Sequence, residues 1–320
     1  MKTAMSAATL LLAAAIQTAD AQSYPTKPVR LVVGAGENST SGTAARIVAE
    51  PLSAMWGHHV VVENRPGAGS VPAAEIVAKA APDGHTLLLC SLTTHGFGPV
   101  LRKTLPYDHI KDFTPVSRIG SVPNGLIVHP SLPVKSVKAF ITHAKANPGK
   151  IEYGGVVGTS PHITMELFRS TTGINVAHLR PTPGQSSTEG LVTGRLTAMF
   201  GNLPIILPIV KEGKVRALAV TSAKRSAQLP ETPTLIESGV AGFDVTVWSG
   251  LCAPNGVAKP IIAKLNADVA KVLSMPDVKK RYAERGGDIV SSTPEEFATF
   301  IRAENARWAK VVKNAGMEPK

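Results

Sequence analysis

The sequence has little cysteine. Its 320 residues contain two cysteines, Cys90 and Cys252, which cannot build the disulfide framework of a small secreted domain. They could pair with each other in an oxidising compartment if their strands are neighbours, or each could be a small core residue. The sequence leaves both interpretations open. The fold must depend mainly on ordinary packing, and a chain of about 300 residues can form two domains or one large one.

Aromatic and acidic residues are also few. Phe, Trp and Tyr make up 5% of the chain, and 23 acidic residues stand against 34 basic ones, which gives a formal charge of +11. Such an excess of positive charge suggests an anionic partner. The basic residues are scattered along predicted helices, and no arginine cluster alternates with aromatics, which argues against a nucleic-acid partner. Small anions are the expected partners.

No long hydrophobic run follows the N-terminal segment. Residues 1–21 carry a positive charge at Lys2, an apolar stretch over residues 4–16 and an A-x-A motif that ends at Ala21. This pattern predicts a secretory signal peptide that is cleaved after Ala21. The apolar stretch is shorter than the roughly 20 residues of a spanning helix, and no cysteine lies at the cleavage point to carry a lipid. We therefore expect a soluble periplasmic protein.

The sequence also lacks the motifs of the enzymes that share an α/β architecture. No G-x-S-x-G nucleophile elbow occurs, so a serine hydrolase is not indicated. The nine histidines are dispersed, and the adjacent pair His58 and His59 cannot face one metal from a single strand. We predict no catalytic residue, no metal site and no cofactor.

Short runs of Val, Leu and Ile alternate with helical patterns, which is typical of βα units around a mostly parallel sheet. Ser136 and Thr293 are predicted N-caps, and Thr293 with Glu296 forms a capping box. The predicted strands cover 30–35, 59–65, 86–91, 124–130, 150–155, 175–180, 196–201, 215–221 and 245–254. The predicted helices cover about 41–55, 71–80, 136–147, 162–172, 204–212, 260–273 and 294–314.

The chain is expected to cross twice between two doubly wound α/β lobes, because no long linker separates the halves. The crossings are SVPNGLIVHPSLPV and DVTVWSGLCAPNGV, with hinges near 124–126 and 248–252. Trp248 is expected to pack at the second hinge rather than against a ligand. Ligands of open α/β sheets bind beyond the carboxyl ends of the strands, here in the cleft between lobes. The predicted domains are a first lobe of residues 22–124 and 248–320 and a second lobe of residues 125–247.

The segment KIEYGGVVGTSPH, residues 150–162, is the first candidate for the ligand site. Gly158 allows close backbone approach, and Thr159, Ser160 and His162 stand where a helix begins. A helix N-terminus offers unpaired N–H groups and partial positive charge to an anion. The alternative is that Thr159 and Ser160 only cap the helix, which is at least as common as ligand binding.

Segments along the whole chain resemble the Bug (TctC) family, the periplasmic solute receptors of tripartite tricarboxylate transporters. The similar segments include YPTKPVRLVV, VVVENRPGAGS, AKAAPDGHTLLL, LPYDHIKDFTPVSRIGSVPN, AKANPGKIEYG, GKVRALAVTSAKR and LPETPTLIESG. The resemblance implies a type II periplasmic binding-protein fold with a deep cleft, and carboxylate ligands held largely by loop atoms and ordered water. It also implies that the loop at Gly158 grips a ligand carboxylate.

Three loops depart from the family pattern. After the first strand the chain reads GAGENSTSGT, with Gly42 where the family has Asp. This loop is weak as a dinucleotide motif because a third glycine is missing, but it remains a carboxylate-loop candidate or a simple capped turn. Two later loops read HLRPTPG and FGNLP, with Gly201 in place of an Asp. From these loops we predict ligand contacts at Gly36, Asn38, Ser39, Thr40, Ser41, Arg180, Thr182, Gly201 and Asn202.

The departures lead to a hypothesis about the ligand. Two acidic groups that could receive an ammonium are missing, so the ligand is predicted to be a carboxylate without an amino group. It could be larger or aromatic, since Ala35, Gly42 and Gly201 would free volume in the cleft. The alternative is that the chain is a paralogue that has drifted in sequence and no longer binds a ligand tightly.

Hydroxyls after the strand TLLLCS add three candidate contacts, Ser91, Thr93 and Thr94, with His95 as a minor one. The expected partners are the membrane subunits of a tripartite transporter, or a membrane sensor kinase that reads the loaded receptor. The sequence does not separate these two uses, and we expect the chain to be a monomer.

Overall fold

The computed structural model describes residues 24–180, 186–314 and 316–317. The predicted signal peptide and its cleavage site therefore lie outside the described residues. The strands are β1 (Val29–Val33), β2 (Val60–Asn64), β3 (Thr86–Ser91), β4 (Phe113–Val128), β5 (Glu152–Gly154), β6 (Ala177–Leu179), β7 (Ala198–Asn202), β8 (Arg216–Val220), β9 (Thr246–Pro254) and β10 (Asp288–Ile289). The helices are α1 (Thr40–Trp56), α2 (Val71–Ala78), α3 (Phe97–Val100), α4 (Val137–Ala146), α5 (Ser160–Thr172), α6 (Ser187–Val192), α7 (Leu203–Lys211), α8 (Lys259–Ser274), α9 (Pro276–Ala283) and α10 (Pro294–Asn314).

The strands form one extended sheet in the order β2-β1-β3-β9-β4-β7-β5-β6, with β8 and β10 also paired to β4. At one end β1 pairs in parallel with β2 and β3, and at the other β5 pairs in parallel with β6 and β7. The long strands β4 and β9 run antiparallel between these two parallel sets. This arrangement gives the predicted two α/β lobes, which share two strands.

Strand β4 changes partners in the middle. Up to Pro123 it pairs with β9, and from Asn124 onward it pairs with β7. The predicted division of the chain at residue 124 falls at this change, although the domain boundaries themselves remain a prediction. The Asn124 side chain is fully buried there, and its Nδ2 donates to Ser160 Oγ at 2.9 Å and to Thr164 Oγ1 at 2.8 Å. These bonds attach the start of α5 to β4.

The predicted strand over 124–130 was too short. β4 begins eleven residues earlier, at Phe113, because its pairing with β9 tolerates Pro115 and Gly120 through two register shifts. Proline and glycine inside a strand normally indicate an edge or a break. The sequence pattern therefore did not predict the first part of β4. Sequence analysis also missed α3, α6, α9 and β10, which are short.

Capping and core packing follow the predictions more closely. Ser136 caps α4, and Thr293 and Glu296 exchange the two bonds of a capping box before α10. Trp248 is 1% exposed and packs edge-on against Phe297, so it is a packing residue as predicted, while the hinge itself remains a prediction. The Trp248 Nε1 donates to the buried carboxylate of Glu304 at 3.0 Å. Within the described residues, no helix combines the length and apolar character needed to span a membrane.

Cys90 and Cys252 form a disulfide, which decides between the two interpretations that the sequence left open. The bridge joins β3 to β9 with a Cα separation of 5.9 Å across 162 positions of sequence. Both residues are fully buried. The bond therefore ties a parallel strand of the first lobe to a strand that is shared by both lobes.

The disulfide predicts a loss of stability when both cysteines are replaced by alanine. A cross-link that closes so long a loop restricts the unfolded chain. The free energy of unfolding of the double variant should therefore be about 2–4 kcal/mol lower than that of the wild-type protein. Urea unfolding of the variant and of the wild-type protein measures the difference. Two free thiols alkylated in unreduced, denatured protein would contradict the bridge.

Candidate ligand-binding site

A cavity of about 860 Å³ opens where β1, β3, β5 and β7 reach their carboxyl ends. It is bordered by residues of both lobes, as expected for the ligand site of an open α/β sheet. The lining residues are Gly34, Ala35, Gly36, Ser39, Thr40, Ser41, Pro66, Gly67, Gly69, Ser70, Leu89, Ser91, Thr93, Leu101, Arg102, Tyr153, Val156, Val157, Gly158, Thr159, Ser160, Pro161, His162, Ile163, Glu166, His178, Asn202, Val247 and Met317.

Among the described residues, helices α1, α2, α5 and α7 begin at the cavity wall. Ser39 caps α1 by accepting from the Gly42 N–H at 3.0 Å. In contrast, the N-cap residues of α2 and α5, Ser70 and Thr159, make no side-chain capping bond. A helix leaves its first N–H groups without partners inside the helix and carries partial positive charge at that end. The wall is therefore suited to an anion.

The hydroxyls of the turn before α5 bond to residues outside the helix and do not cap it. The Thr159 hydroxyl donates back to Val156 O at 2.6 Å, and Ser160 Oγ accepts from Asn124. The interpretation that both hydroxyls only cap the helix is therefore wrong. Gly158 has φ +79°, a conformation that favours glycine.

A matching turn lies in the first lobe. Ser70, which precedes α2, has φ +69°, and its Oγ donates to Gly34 O at 2.8 Å. A Cβ at Gly34 would lie 2.2 Å from Ser70 Cβ, so glycine is needed at the end of β1. The contact holds the turn Pro66 to Ser70 against the cavity.

A hydrogen bond crosses between the two lobes at the cavity. Asn202, at the end of β7, donates through Nδ2 to Thr40 Oγ1 at 3.1 Å, at the start of α1. The Oδ1 atom of Asn202 is buried without a hydrogen-bond partner among the described residues. The side chain thus links the lobes at the edge of the cavity.

In the second lobe, polar side chains surround the carboxylate of Glu166. Tyr153 Oη donates to Glu166 Oε1, and Arg169 Nη1 lies 2.9 Å from both carboxylate oxygens. Burial works to raise the pKa of Glu166, but the bonds from Tyr153 and Arg169 outweigh it and hold the pKa below its ordinary value. Burial and then the Glu166 bond raise the pKa of Tyr153. The acid is therefore ionised and its charge is compensated.

Two histidines complete this wall. His178 lies beside Gly155 O, with Nε2 at 2.8 Å, and its ring is 4.9 Å from Tyr153 and 5.0 Å from His162. The ring of His178 thus lies between those of Tyr153 and His162 at this wall. Among the described residues, no three histidine, cysteine or acidic side chains come close enough to hold a metal ion.

Most of the site residues predicted from the sequence meet at the cavity. Those that line it are Gly36, Ser39, Thr40, Ser41, Ser91, Thr93, Gly158, Thr159, Ser160, His162 and Asn202. Their role in binding a ligand remains a prediction. The loops that follow β1, β3, β5 and β7 bring them together because the carboxyl ends of these strands meet here.

Four of the predicted residues that the structure describes do not line the cavity. Asn38 and Arg180 are exposed. Thr94 is fully buried, where its hydroxyl accepts from Ser91 N at 2.9 Å. Gly201 is buried in β7, and Thr182 lies outside the described residues.

The missing side chains at Gly42 and Gly201 do not enlarge the cavity, contrary to expectation. A Cβ at Gly42 would lie 2.4 Å from Glu37 O, and one at Gly201 would lie 2.3 Å from the Ile206 side chain. Neighbouring atoms already fill both spaces. Ala35, the third residue of that prediction, does line the cavity.

Sequence reasoning missed the rest of the wall. The turn Pro66 to Ser70 could have been found, because PGAGS lies between a predicted strand and a predicted helix. Arg102, Glu166 and Met317 gave no such signal. They come from a loop, a helix interior and the C-terminal segment, and only the tertiary fold brings them to the cavity.

The arrangement matches a known family. The family model described as tripartite tricarboxylate transporter family receptor, TctC, matches residues 44–317. The chain belongs to this receptor family. BugT of Bordetella pertussis is 34% identical to it over 302 residues, which cover 94% of this chain and 93% of BugT.

Solved structures give the same result. The R. palustris protein Rpa4515 with adipate is 35% identical, with a TM-score of 0.87, over 93% of this chain and 100% of that one. MatC from Rhodopseudomonas palustris with bound malate is 30% identical, with a TM-score of 0.82, over 90% and 100% of the two chains. The predicted periplasmic binding-protein fold with two lobes is thereby confirmed.

Membership of the TctC family establishes the general role of the chain. TctC proteins are periplasmic solute receptors that work with tripartite transporters, and the family is a receptor family rather than an enzyme family. The predicted relationship to Bug proteins is confirmed.

His95, the minor candidate, is buried behind the cavity wall and does not line it. Burial lowers its pKa to about 3, and His109 acts in the same direction. The unfolded chain therefore binds a proton that the folded chain does not between about pH 6.5 and pH 3. Stability should be complete above this range and should fall as the pH drops through it.

The change that tests this is His95→Asn, which keeps a nitrogen near Thr94 Oγ1. Its free energy of unfolding should fall less steeply than that of the wild-type protein between pH 6.5 and pH 4. His59→Asn, at an exposed position, is the matched control and should keep the wild-type slope. Equal slopes for all three proteins would contradict a neutral buried His95.

Proposed function

We propose that this chain captures a small carboxylate without an amino group in the cavity between its lobes and delivers it to the membrane subunits of a tripartite transporter. The observation that carries the proposal is the start of α5 at the cavity, which has no side-chain cap. Rpa4515 with adipate and MatC with malate support it, because both are relatives whose solutes are dicarboxylates.

The site has the chemistry for a carboxylate. Helix starts supply partial positive charge on both sides of the cavity, and Ser39, Ser91 and Thr93 supply hydroxyls at its wall. The Ser160 N–H belongs to the first turn of α5, while Pro161 has none to give. A carboxylate at this turn would receive charge-assisted hydrogen bonds, which are the stronger kind.

The proposal that the solute lacks an amino group depends on Glu166. Among the described lining residues it is the one acidic side chain. Its oxygens are already engaged by Tyr153 and Arg169. A solute ammonium would therefore find no uncompensated carboxylate at the wall, and burying it without such a partner is costly.

Apolar side chains suit the body of a larger solute. Leu89, Leu101, Val247 and Met317 line the cavity, and Val156 and Val157 border it. These two valines are 58% and 46% exposed, so a bound apolar chain or ring would remove apolar surface from water. The volume lies within the range of cavities that hold small organic ligands.

The remaining parts of the proposal concern export and closure. We expect export by the N-terminal signal, with cleavage after Ala21, and action as a monomer. In the closed arrangement, Asn202 of one lobe bonds to Thr40 of the other. A solute held by loops of both lobes would favour this arrangement, because only here do both lobes contact the solute.

A solute panel tests the proposal. Thermal unfolding of the mature protein is followed with mono-, di- and tricarboxylates, aromatic acids and amino acids. A solute at 100 times its Kd adds about 2.7 kcal/mol, which raises the midpoint by several degrees. We expect such shifts from acids without an amino group. Tight binding of an amino acid that requires its ammonium would overturn the ligand class, and no shift with any acid would overturn carboxylate binding.

A blocking substitution tests the place of binding. A Cβ at Gly36 meets nothing within 4 Å, so Gly36→Leu should fold normally while its side chain adds bulk to the cavity wall. We expect at least about a tenfold loss of affinity for the best solute of the panel, since each 1.4 kcal/mol of lost binding corresponds to tenfold.

The matched control is Asn38→Leu, which adds the same side chain to the same loop at an exposed residue outside the cavity lining. Calorimetric titration should give the control an affinity near that of the wild-type protein. Equal affinities for the wild-type protein and Gly36→Leu would place the solute elsewhere.

A further inference from the structure

The chain returns to the cavity after its last described helix. Met317 lies just beyond α10, is partly buried and lines the cavity. It also packs against the hydrophobic core that contains Phe97 and Trp308. Among the described lining residues it is the one methionine and the one residue that follows α10. The segment after α10 therefore contributes an apolar side chain to the wall.

The position of Met317 follows from the way α10 ends. Gly316 has φ +63°, and its N–H donates to Lys313 O at 3.1 Å. The N–H of Met317 donates to Val312 O at 3.0 Å. These two bonds and the left-handed glycine form a Schellman motif, in which the chain turns back onto the last turn of the helix. The motif fixes the backbone from which the Met317 side chain reaches the cavity.

Helix α10 is itself attached to the first lobe. The Trp308 ring is 1% exposed and lies 5.6 Å from that of Phe97, at the start of α3. Asn305 Nδ2 donates to His95 O at 2.9 Å and to Gly96 O at 3.1 Å, in the segment that joins β3 to α3. α10 also contacts α5 of the second lobe. Met317 is therefore held beside the cavity by a packed helix.

The side chain of Met317 differs from the apolar side chains that the sheet supplies to the wall. Leu89 and Val247 lie in the paired strands β3 and β9, so they cannot shift without moving the sheet. Met317 lies outside the sheet. Its unbranched thioether side chain has several rotatable bonds and adjusts to the shape of an apolar partner. Under the proposed function, that partner is the hydrocarbon body of the solute.

We propose that Met317 is a specificity-determining residue that contacts the hydrocarbon body of the solute and limits its length. The inference rests on the proposed function and makes it more specific. With its carboxylate at the start of α5, a solute that is too long would have to displace the Met317 side chain. This side chain carries no charge and no hydrogen-bond donor. It therefore selects among carboxylates by length and leaves the binding of the carboxylate group to other residues.

The test is a series of straight-chain acids that differ in length. Wild-type protein and Met317→Ala are titrated calorimetrically with succinate, adipate, suberate and sebacate, and with butyrate, hexanoate, octanoate and decanoate. We expect the wild-type affinity to pass through a maximum and to fall for longer acids. In Met317→Ala the maximum should move to the next longer acid. The affinity for that acid relative to the wild-type optimum should rise about tenfold, since each methylene removed from water adds about fourfold.

Three further variants separate selection by length from other roles. Met55→Ala makes the same truncation on α1, where Met55 is 37% exposed and lies outside the cavity lining, and should keep the wild-type maximum. Met317→Leu keeps an apolar side chain of similar volume and should keep it too. Met317→Trp enlarges the side chain and should lower the affinity for longer acids more than for shorter ones. This variant also serves as the test if Met317→Ala is unstable.

The outcomes distinguish this inference from the proposed function. An unchanged maximum in Met317→Ala, or an equal loss for every acid, would overturn the role of Met317 in selection. A wild-type affinity that keeps rising to the longest acid would also overturn it, as would a shifted maximum in Met55→Ala. In each of these cases acids still bind, so the proposed function stands. Absence of binding for every acid overturns both.

Discussion

The site depends on the double pairing of β4. One part of this strand is bound to β9 and the other to β7 and β8, with the change at Asn124. A continuous strand connects the two parallel sets of strands, so their carboxyl ends border one cavity. The buried Asn124 side chain then holds the start of α5 through Ser160 and Thr164. The same residue that joins the lobes therefore positions the helix end proposed to bind the solute.

The chemistry of the cavity follows from what its walls contain. Helix ends and hydroxyls supply positive potential and donors, while the acid at Glu166 is compensated by Arg169 and Tyr153. Such a wall is suited to anions and offers little to an ammonium. Apolar residues between the polar ends account for a solute with a hydrocarbon body. The bond from Asn202 to Thr40 shows that the lobes can contact each other directly at the cavity.

Local sequence patterns predicted the parts of the site that are local in the chain. Gly158 and Thr159 follow a strand and Ser160 begins a helix, an order that fits either an anion-binding turn or a simple cap, and the family resemblance favoured the first. The sequence did not reveal Arg102 or Glu166, because their positions depend on how α3 and α5 pack in the finished fold. It also misjudged Gly42 and Gly201, where absent side chains seemed to leave space that Glu37 and Ile206 in fact occupy. The strand β4 was predicted only in part because its prolines and glycines are accommodated by register shifts that no local pattern shows.

The most direct test of the account is a crystal structure of the mature protein with the tightest-binding carboxylate of the panel. The account predicts a solute carboxylate within about 3 Å of the Ser160 N–H at the start of α5, which is the ordinary hydrogen-bond distance. It also predicts that the solute contacts both lobes. A solute that binds outside the cavity, or that turns an apolar or neutral end toward α5 with no carboxylate there, would contradict it.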